Sequence, residues 1–344
     1  MKGARPLNEI ADSIRSIMVL KADHLGDLML AAPAAFSLKK VFERAKIVLA
    51  GTRQGARLYR TLGLIDDEIF IEGPSVKRRA LHSIIGDIMK IRRMRFDLVV
   101  NMRHDFRDIL FTSALKGRYL CTYDHKGLGR LATHVAPPPD DNRYERENHL
   151  RLVEILGVKS APFVVPEDPN AAESVRQRFG GERYVVLHPV ARTPAKQWPL
   201  ERFRELALAL EEKELRVACV GGPEDEELCG QAIAGIDGAR NLAGELSFTE
   251  LFALLRKAEG FAGVDSFVMH AAAAVGLPGV AIFSGTNVQS RWAPPEMSVV
   301  SHATDCAPCR LENCNVAGHP CMNEIDVKFV VEAMEGILER GGAK

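Results

Sequence analysis

The stretch GVDSFVMHAAAAVGLPGVAIF, residues 263–283, decides the fold class. A short apolar strand, residues 261–264, runs into Asp265 and Ser266, which stand where a helix N-cap belongs. His270 follows five residues after Asp265, then come the small residues 271–274 and a second apolar strand, 280–283. A strand, a helix of small residues and another buried strand make one unit of a parallel α/β sheet. The amides at a helix start are unpaired and carry partial positive charge, so they suit a phosphate. A cap Asp or Ser can also hold sugar hydroxyls. Two readings of this segment stay open on its own residues. One is a nucleotide site on an α/β sheet, the other a capped core helix with a satisfied histidine.

At 344 residues the chain is long for one core and suits two domains. Hydrophobic residues make up 47%, and 45 basic side chains balance 45 acidic ones. That balance excludes a global electrostatic drive toward nucleic acid. No window has the apolar length of a membrane span, and the first residues lack the core of a signal peptide, so a cytoplasmic protein is expected. Two basic clusters, Lys77-Arg78-Arg79 and Arg92, Arg93, Arg95, suit an anionic surface or a solvated helix face.

Strand and helix patterns alternate along both halves. Strands are expected at 16–21, 46–50, 68–71 and 97–101, with helices at 28–41, 80–94 and 106–115. Pro33 should kink the first of these helices or delay its start. Residues 118–148 read as irregular and are followed by a helix over 147–156. Residues 161–170 carry three prolines without periodicity and read as a linker. Strands at 184–188 and 216–220 and helices at 200–211, 224–233, 248–258 and 326–339 complete a second α/β series. The expected organisation is a domain over 1–160, the linker 161–170, a domain over 171–325 and a C-terminal helix in 326–344 that packs back on the first domain. Two doubly wound domains facing a cleft would bind ligands at the carboxyl ends of their strands.

Three further segments carry chemistry. KADHLGDLMLAAP, residues 21–33, sets Gly26 and Asp27 after the first strand, where Asp27 is a general base or, by position alone, an N-cap. No GxGxxG or P-loop is present. After the 184–188 strand, Arg192 and Lys196 can clamp a pyrophosphate, with solvated loop charges as the alternative. Gly221-Gly222 precede Glu224, Asp225, Glu226 and Glu227; such acids complement a helix dipole, and one of them can hold ribose hydroxyls. Four of the seven cysteines, Cys306, Cys309, Cys314 and Cys321, crowd one tail segment. Their spacing is not a standard zinc motif, so reduced thiols in a loop are expected, with structural zinc the alternative.

Taken in order, LGDLMLAAP, the Lys-Gln-Trp-Pro loop, GGPEDE, LAGELSFTEL, GVDSFVMHAAA and the CAPC…HPCM tail resemble the heptosyltransferases of glycosyltransferase family nine. The resemblance spans residues 17–338 and implies a GT-B fold. It implies an inverting transferase with no catalytic metal, an ADP-heptose donor and a lipid A-linked core oligosaccharide acceptor at the cytoplasmic face of the inner membrane, with peripheral membrane contact. The first domain would bind the acceptor and the second the nucleotide sugar. Motif by motif, Asp27 matches the family's proposed base, Lys196 the phosphate- and sugar-contacting lysine, and Asp265 the residue that grips donor hydroxyls. Ser266 and His270 line the same loop, and Glu224 or Glu226 matches the ribose-binding acid. Arg103 and Arg107 are weaker candidates for the acceptor. The HPVAR…KQW segment, with Trp292 and Pro294, resembles members that add the third, branching heptose. Val190, Phe267 and the run Ser284-Gly285-Thr286 depart from the usual pattern. Another nucleotide sugar, or a non-catalytic sugar-nucleotide-binding protein, are the alternatives.

Overall fold

A computed structural model describes residues 6–71 and 81–341. The chain divides into two compact units, Met1–Pro166 and Glu167–Lys344, so the division falls inside the proline-bearing segment. Lys77, Arg78 and Arg79 lie outside the described residues.

The first unit holds β1 (Ser16–Leu20), β2 (Lys46–Gly51), β3 (Asp67–Phe70), β4 (Leu98–Asn101), β5 (Tyr119–Tyr123) and β6 (His134–Ala136), in the order β3-β2-β1-β4-β5-β6. The second holds β7 (Tyr184–His188), β8 (Arg216–Cys219), β9 (Ala239–Asn241), β10 (Gly260–Val264), β11 (Gly279–Phe283) and β12 (Ser298–Ser301), in the order β12-β11-β10-β7-β8-β9. All pairings within each sheet are parallel. Each unit thus repeats one doubly wound order, and each has one point where the order reverses: between β1 and β4, and between β7 and β10. The central strands β4, β7, β10 and β11 are buried at every position, which is why they read as apolar runs rather than alternations.

Four strands were not visible in the pattern. β5 and β6 occupy the segment read as irregular, and β9 and β12 had no strand signal. β6, β9 and β12 have three or four residues, lie at sheet edges and include side chains outside the core. The Leu25–Val41 helix corrects two expectations. It starts three residues earlier than expected, with His24 at the N-cap position, so Asp27 sits inside the first turn and is not the cap. Pro33 lies within this helix without delaying its start. A proline there removes one amide donor, and burial of Leu28–Ala32, Ala34, Ala35, Ser37 and Leu38 compensates.

The last helix, Val327–Gly341, was expected to return to the first domain. Instead Val330, Met334 and Ile337 are buried in the second unit's core, among Trp198, Phe203 and Ile282. Gly260 of β10 admits this helix: a side chain there would meet Met334 at 3.1 Å. Gly263, at the reversal point, lies tighter still. A methyl group on it would stand 2.8 Å from the His188 carbonyl oxygen and 2.7 Å from Phe261. The carbonyl belongs to the neighbouring strand and cannot step aside. Gly263→Ala is therefore expected to destabilise the second unit by about 1–3 kcal/mol, seen as a lower denaturation midpoint. An unchanged midpoint would show that β7 and β10 can part at no cost.

Candidate functional site

Both reversal points gather charge. In the second unit β10 ends at Val264, and the next residue, Asp265, is buried at the head of the Phe267–Ala274 helix. Lys196 comes from the turn Pro194–Lys196 that follows β7, the neighbour of β10. Its Nζ lies 2.7 Å from Asp265 Oδ2, with the two side chains 17% and 6% exposed. Asn287 Nδ2 donates to the same oxygen at 2.8 Å. An ammonium has three N–H donors, and the contact with Asp265 uses one.

Ser266 occupies the N-cap position but accepts no capping bond. Among the described residues its Oγ is buried without a hydrogen-bond partner, and so is Nδ1 of His270 one turn later. Buried polar atoms are almost always satisfied. Two orphans on one helix start, beside a lysine and a buried carboxylate, mark a place built for a polar ligand. Burial holds His270 down to about 4, with Asp265 opposing and Lys196 adding to the effect, so the ring is neutral near neutrality. The sequence reading of a satisfied core histidine is not what the side chain shows.

The cysteine-rich tail supports Lys196 from behind. The Ala195 amide donates to the Glu312 carbonyl at 3.0 Å, and the Ala195 carbonyl accepts from Thr286 Oγ1 at 3.3 Å and His319 Nε2 at 3.1 Å. Trp198, fully buried, donates from Nε1 to the Ile325 carbonyl at 3.1 Å. The Cys309 amide bonds the Gly285 carbonyl at 3.0 Å, docking the CAPC loop on the turn after β11. Cys306, Cys309, Cys314 and Cys321 form no disulfide. Among the described residues no group of three or more His, Cys, Asp and Glu side chains is placed to hold a metal ion. Phe267 packs edge-to-face on Phe248, ring centres 5.7 Å apart, which closes the outer side of the helix start.

The remaining donor candidates separate. Glu224 and Glu226 are both exposed. The Glu224 carboxylate folds over Gly222 at the end of β8, close enough to meet a side chain there at 2.8 Å. Glu226 opens the next helix, Glu226–Ala232, and its carbonyl accepts from Nδ2 of Asn241, the last residue of β9, at 2.8 Å. Asp225, one of the four acids read as complementing a helix dipole, accepts the Gly222 amide at 2.8 Å and shapes the turn. Arg192 is exposed on the loop after β7.

In the first unit the reversal point carries a network that sequence reasoning missed. Lys21, at the end of β1, pairs with Asp23 at 3.0 Å. Arg103, after β4, pairs with Asp23 at 2.5 Å and Asp108 at 2.6 Å, and also donates to the Ala22 carbonyl. Burial pushes the Asp23 carboxyl up, but Lys21 and Arg103 more than offset it and hold it below the usual range. Asp108 goes the other way, raised by burial despite Arg103. Arg103 is thus 10% exposed and paired within its own unit. Its work is to pin the loop 22–24, directly before Asp27. Asp27 itself is half-buried in the first helical turn, where its charge complements the helix dipole. Arg107 is more exposed, clamped on Asp105 at 2.8 Å and lying over the Phe106 ring. The only sequence signal for Lys21 and Asp23 was two charges flanking the end of an apolar strand.

The family described as glycosyltransferase family 9 (heptosyltransferase) matches residues 88–319. Lipopolysaccharide heptosyltransferase 3 of Escherichia coli is 28% identical over 280 residues, 76% of this chain and 81% of that protein. Among solved structures, a family 9 glycosyl transferase from Veillonella parvula DSM 2008 superposes with a TM-score of 0.76 at 18% identity, covering 95% of this chain and 97% of that one. The E. coli ADP-heptose LPS heptosyltransferase II gives 0.73 at 18% identity, covering 95% and 99%. The fold they share with this chain is GT-B.

The neutral, buried His270 has a consequence for stability. The unfolded chain takes up a proton near 6.5, whereas the native ring resists until about 4, so native stability falls as pH drops through that window. His270→Gln should lose stability less steeply between those pH values, measured as melting temperature against pH. Parallel curves for the two proteins would show that the ring is not desolvated.

Proposed function

This chain belongs to glycosyltransferase family 9, the heptosyltransferases, and we propose that it transfers heptose from ADP-heptose to the inner core of lipopolysaccharide. The observation that carries this reading is the cluster of Lys196, Asp265 and Asn287 beside the two unpartnered buried atoms of Ser266 and His270. The cluster offers a cation and helix-start amides to a diphosphate, and a carboxylate to sugar hydroxyls. Within the proposal the second unit binds the nucleotide sugar. Asp265 grips the sugar, Lys196 and Ser266 face the diphosphate with Arg192 at the rim, and Glu224 is favoured over Glu226 for the ribose. The first unit takes the lipid A-linked acceptor at the membrane face, with Arg107 beside it.

In the reaction Asp27 accepts the proton of an acceptor hydroxyl. The hydroxyl oxygen then forms its bond to the anomeric carbon from the face opposite the leaving group. The bond from that carbon to the diphosphate oxygen breaks, and its electron pair leaves with ADP, so configuration inverts. Negative charge grows on the diphosphate as it departs, where Lys196 and the helix-start amides of residues 266–268 stabilise it. These groups carry the charge that a metal ion would otherwise neutralise. The resemblance to lipopolysaccharide heptosyltransferase 3 supports addition of the third heptose.

Transfer from ADP-heptose to a core lacking the terminal heptose tests the reading directly. Asp27→Asn is expected to lower kcat roughly 10²–10⁴-fold, the usual worth of a general base, while ADP still raises the melting temperature. Full transfer by that variant would sink the mechanism. Ser266→Ala removes a hydroxyl that has no partner, so the unliganded protein should melt at the same temperature or slightly higher. Its ADP affinity should drop by about tenfold, the worth of one hydrogen bond to a charged group. Unchanged ADP affinity would place the diphosphate elsewhere.

A further inference from the structure

The helix Leu81–Arg92 in the first unit is apolar on two faces. Ile84, Ile88 and Ile91 turn inward and pack against the core around Met18, Val48 and Val99. An ordinary surface helix needs only that stripe. Here Leu81, Ile85 and Met89 recur every four residues on the outer side, 71%, 50% and 49% exposed, and Met94 beyond the helix end is 44% exposed. Spacing of four residues stacks side chains on one face, so the outer three form a continuous apolar strip that stays outside the core cluster of the described residues. Lys90, Arg92, Arg93 and Arg95 crowd its C-terminal end, all exposed, against a single acidic residue, Asp87, between 81 and 95.

We propose that this strip is a docking surface for a bilayer containing anionic lipid. An apolar face edged by cations is the pattern of a helix that lies in the membrane interface. The apolar side chains enter the acyl boundary, and the long basic side chains reach back to lipid phosphates. Charge selects this occupant: four cations within six residues attract an anionic surface. The proposal rests on the reading that the acceptor is lipid-linked, and it adds the place where the enzyme meets that lipid. It uses none of the residues assigned to the donor or the base, so the two can fail separately.

Co-sedimentation with vesicles tests it. The unmodified chain should pellet with phosphatidylethanolamine vesicles carrying phosphatidylglycerol, far less with pure phosphatidylcholine, and less at high salt. Ile85→Ser with Met89→Ser should lower partitioning roughly tenfold or more, as should Arg92→Gln, Arg93→Gln and Arg95→Gln together. All these positions are exposed, and an unchanged ADP-induced thermal shift verifies that each variant folds. Variants that pellet like the unmodified chain would overturn the surface and leave the transferase reading standing. So would an unmodified chain that stays in the supernatant, or light scattering that shows the strip buried in a dimer. Failure of the unmodified chain to transfer heptose to detergent-solubilised acceptor would instead strike the transferase reading.

Discussion

Parallel pairing is the constraint from which everything else in this chain follows. A parallel neighbour cannot be reached by a hairpin; the chain must cross back over the sheet, usually as a helix, before starting again. Each sheet therefore collects all its carboxyl ends on one edge, and with them the loops that start helices. Where the strand order reverses, neighbouring loops diverge to opposite faces and leave a crevice. In the second unit that point lies between β7 and β10, and the loops that leave there carry Lys196 and Asp265. In the first unit it lies between β1 and β4, and the loops carry Lys21, Asp23 and Arg103.

The two crevices use charge differently. In the first, acids and bases pair with one another: Asp23 takes both Lys21 and Arg103, and Arg103 also takes Asp108, whose second oxygen, Oδ1, stays buried without a hydrogen-bond partner among the described residues. A buried pair of this kind is weak evidence for stability but makes a stiff brace, here behind the loop that presents Asp27. In the second, satisfaction is incomplete. Asp265 is paired, while Ser266 and His270 keep buried atoms without partners among the described residues. An unfilled hydrogen bond in a dry place costs stability and is kept where a ligand completes it. The first crevice is braced by paired charge, and the second holds the incomplete cluster on which the proposed donor site rests.

Much of this was visible before any coordinates. The buried strands β1, β2, β4, β7, β8, β10 and β11 announced themselves as short apolar runs closed by polar turns. The donor-side candidates were named from one strand-to-helix junction and two loops. Elements that failed to show did so for a physical reason. β9 and β12 lie at or beside an edge, where polar residues are tolerated and the apolar signal dilutes. Pro33 looked like a helix breaker because propensity is local, whereas the burial that retains it comes from residues packed around the Leu25–Val41 helix. Arg103 looked like a surface cation because one of its two carboxylate partners comes from elsewhere in the chain: Asp108 is five positions on, but Asp23 is 80 positions away.

The sequence by itself determined the α/β class, the division into two units and the family, and it named the candidate residues of the strand-to-helix junction after β10, because each rests on a short contiguous pattern. Tertiary structure alone decided which charges meet. Lys196 and Asp265 are 69 positions apart and become partners only because β7 and β10 are neighbours in the sheet. It also decided that Asp27 is a residue of the first helical turn and not its cap, and that the last helix belongs to the second core. Periodicity reports which face of an element is apolar; it does not report what that face will touch. The helix 81–92 shows the same limit, since its apolar residues read alike in sequence and only the fold separates those it buries from those it leaves facing outward.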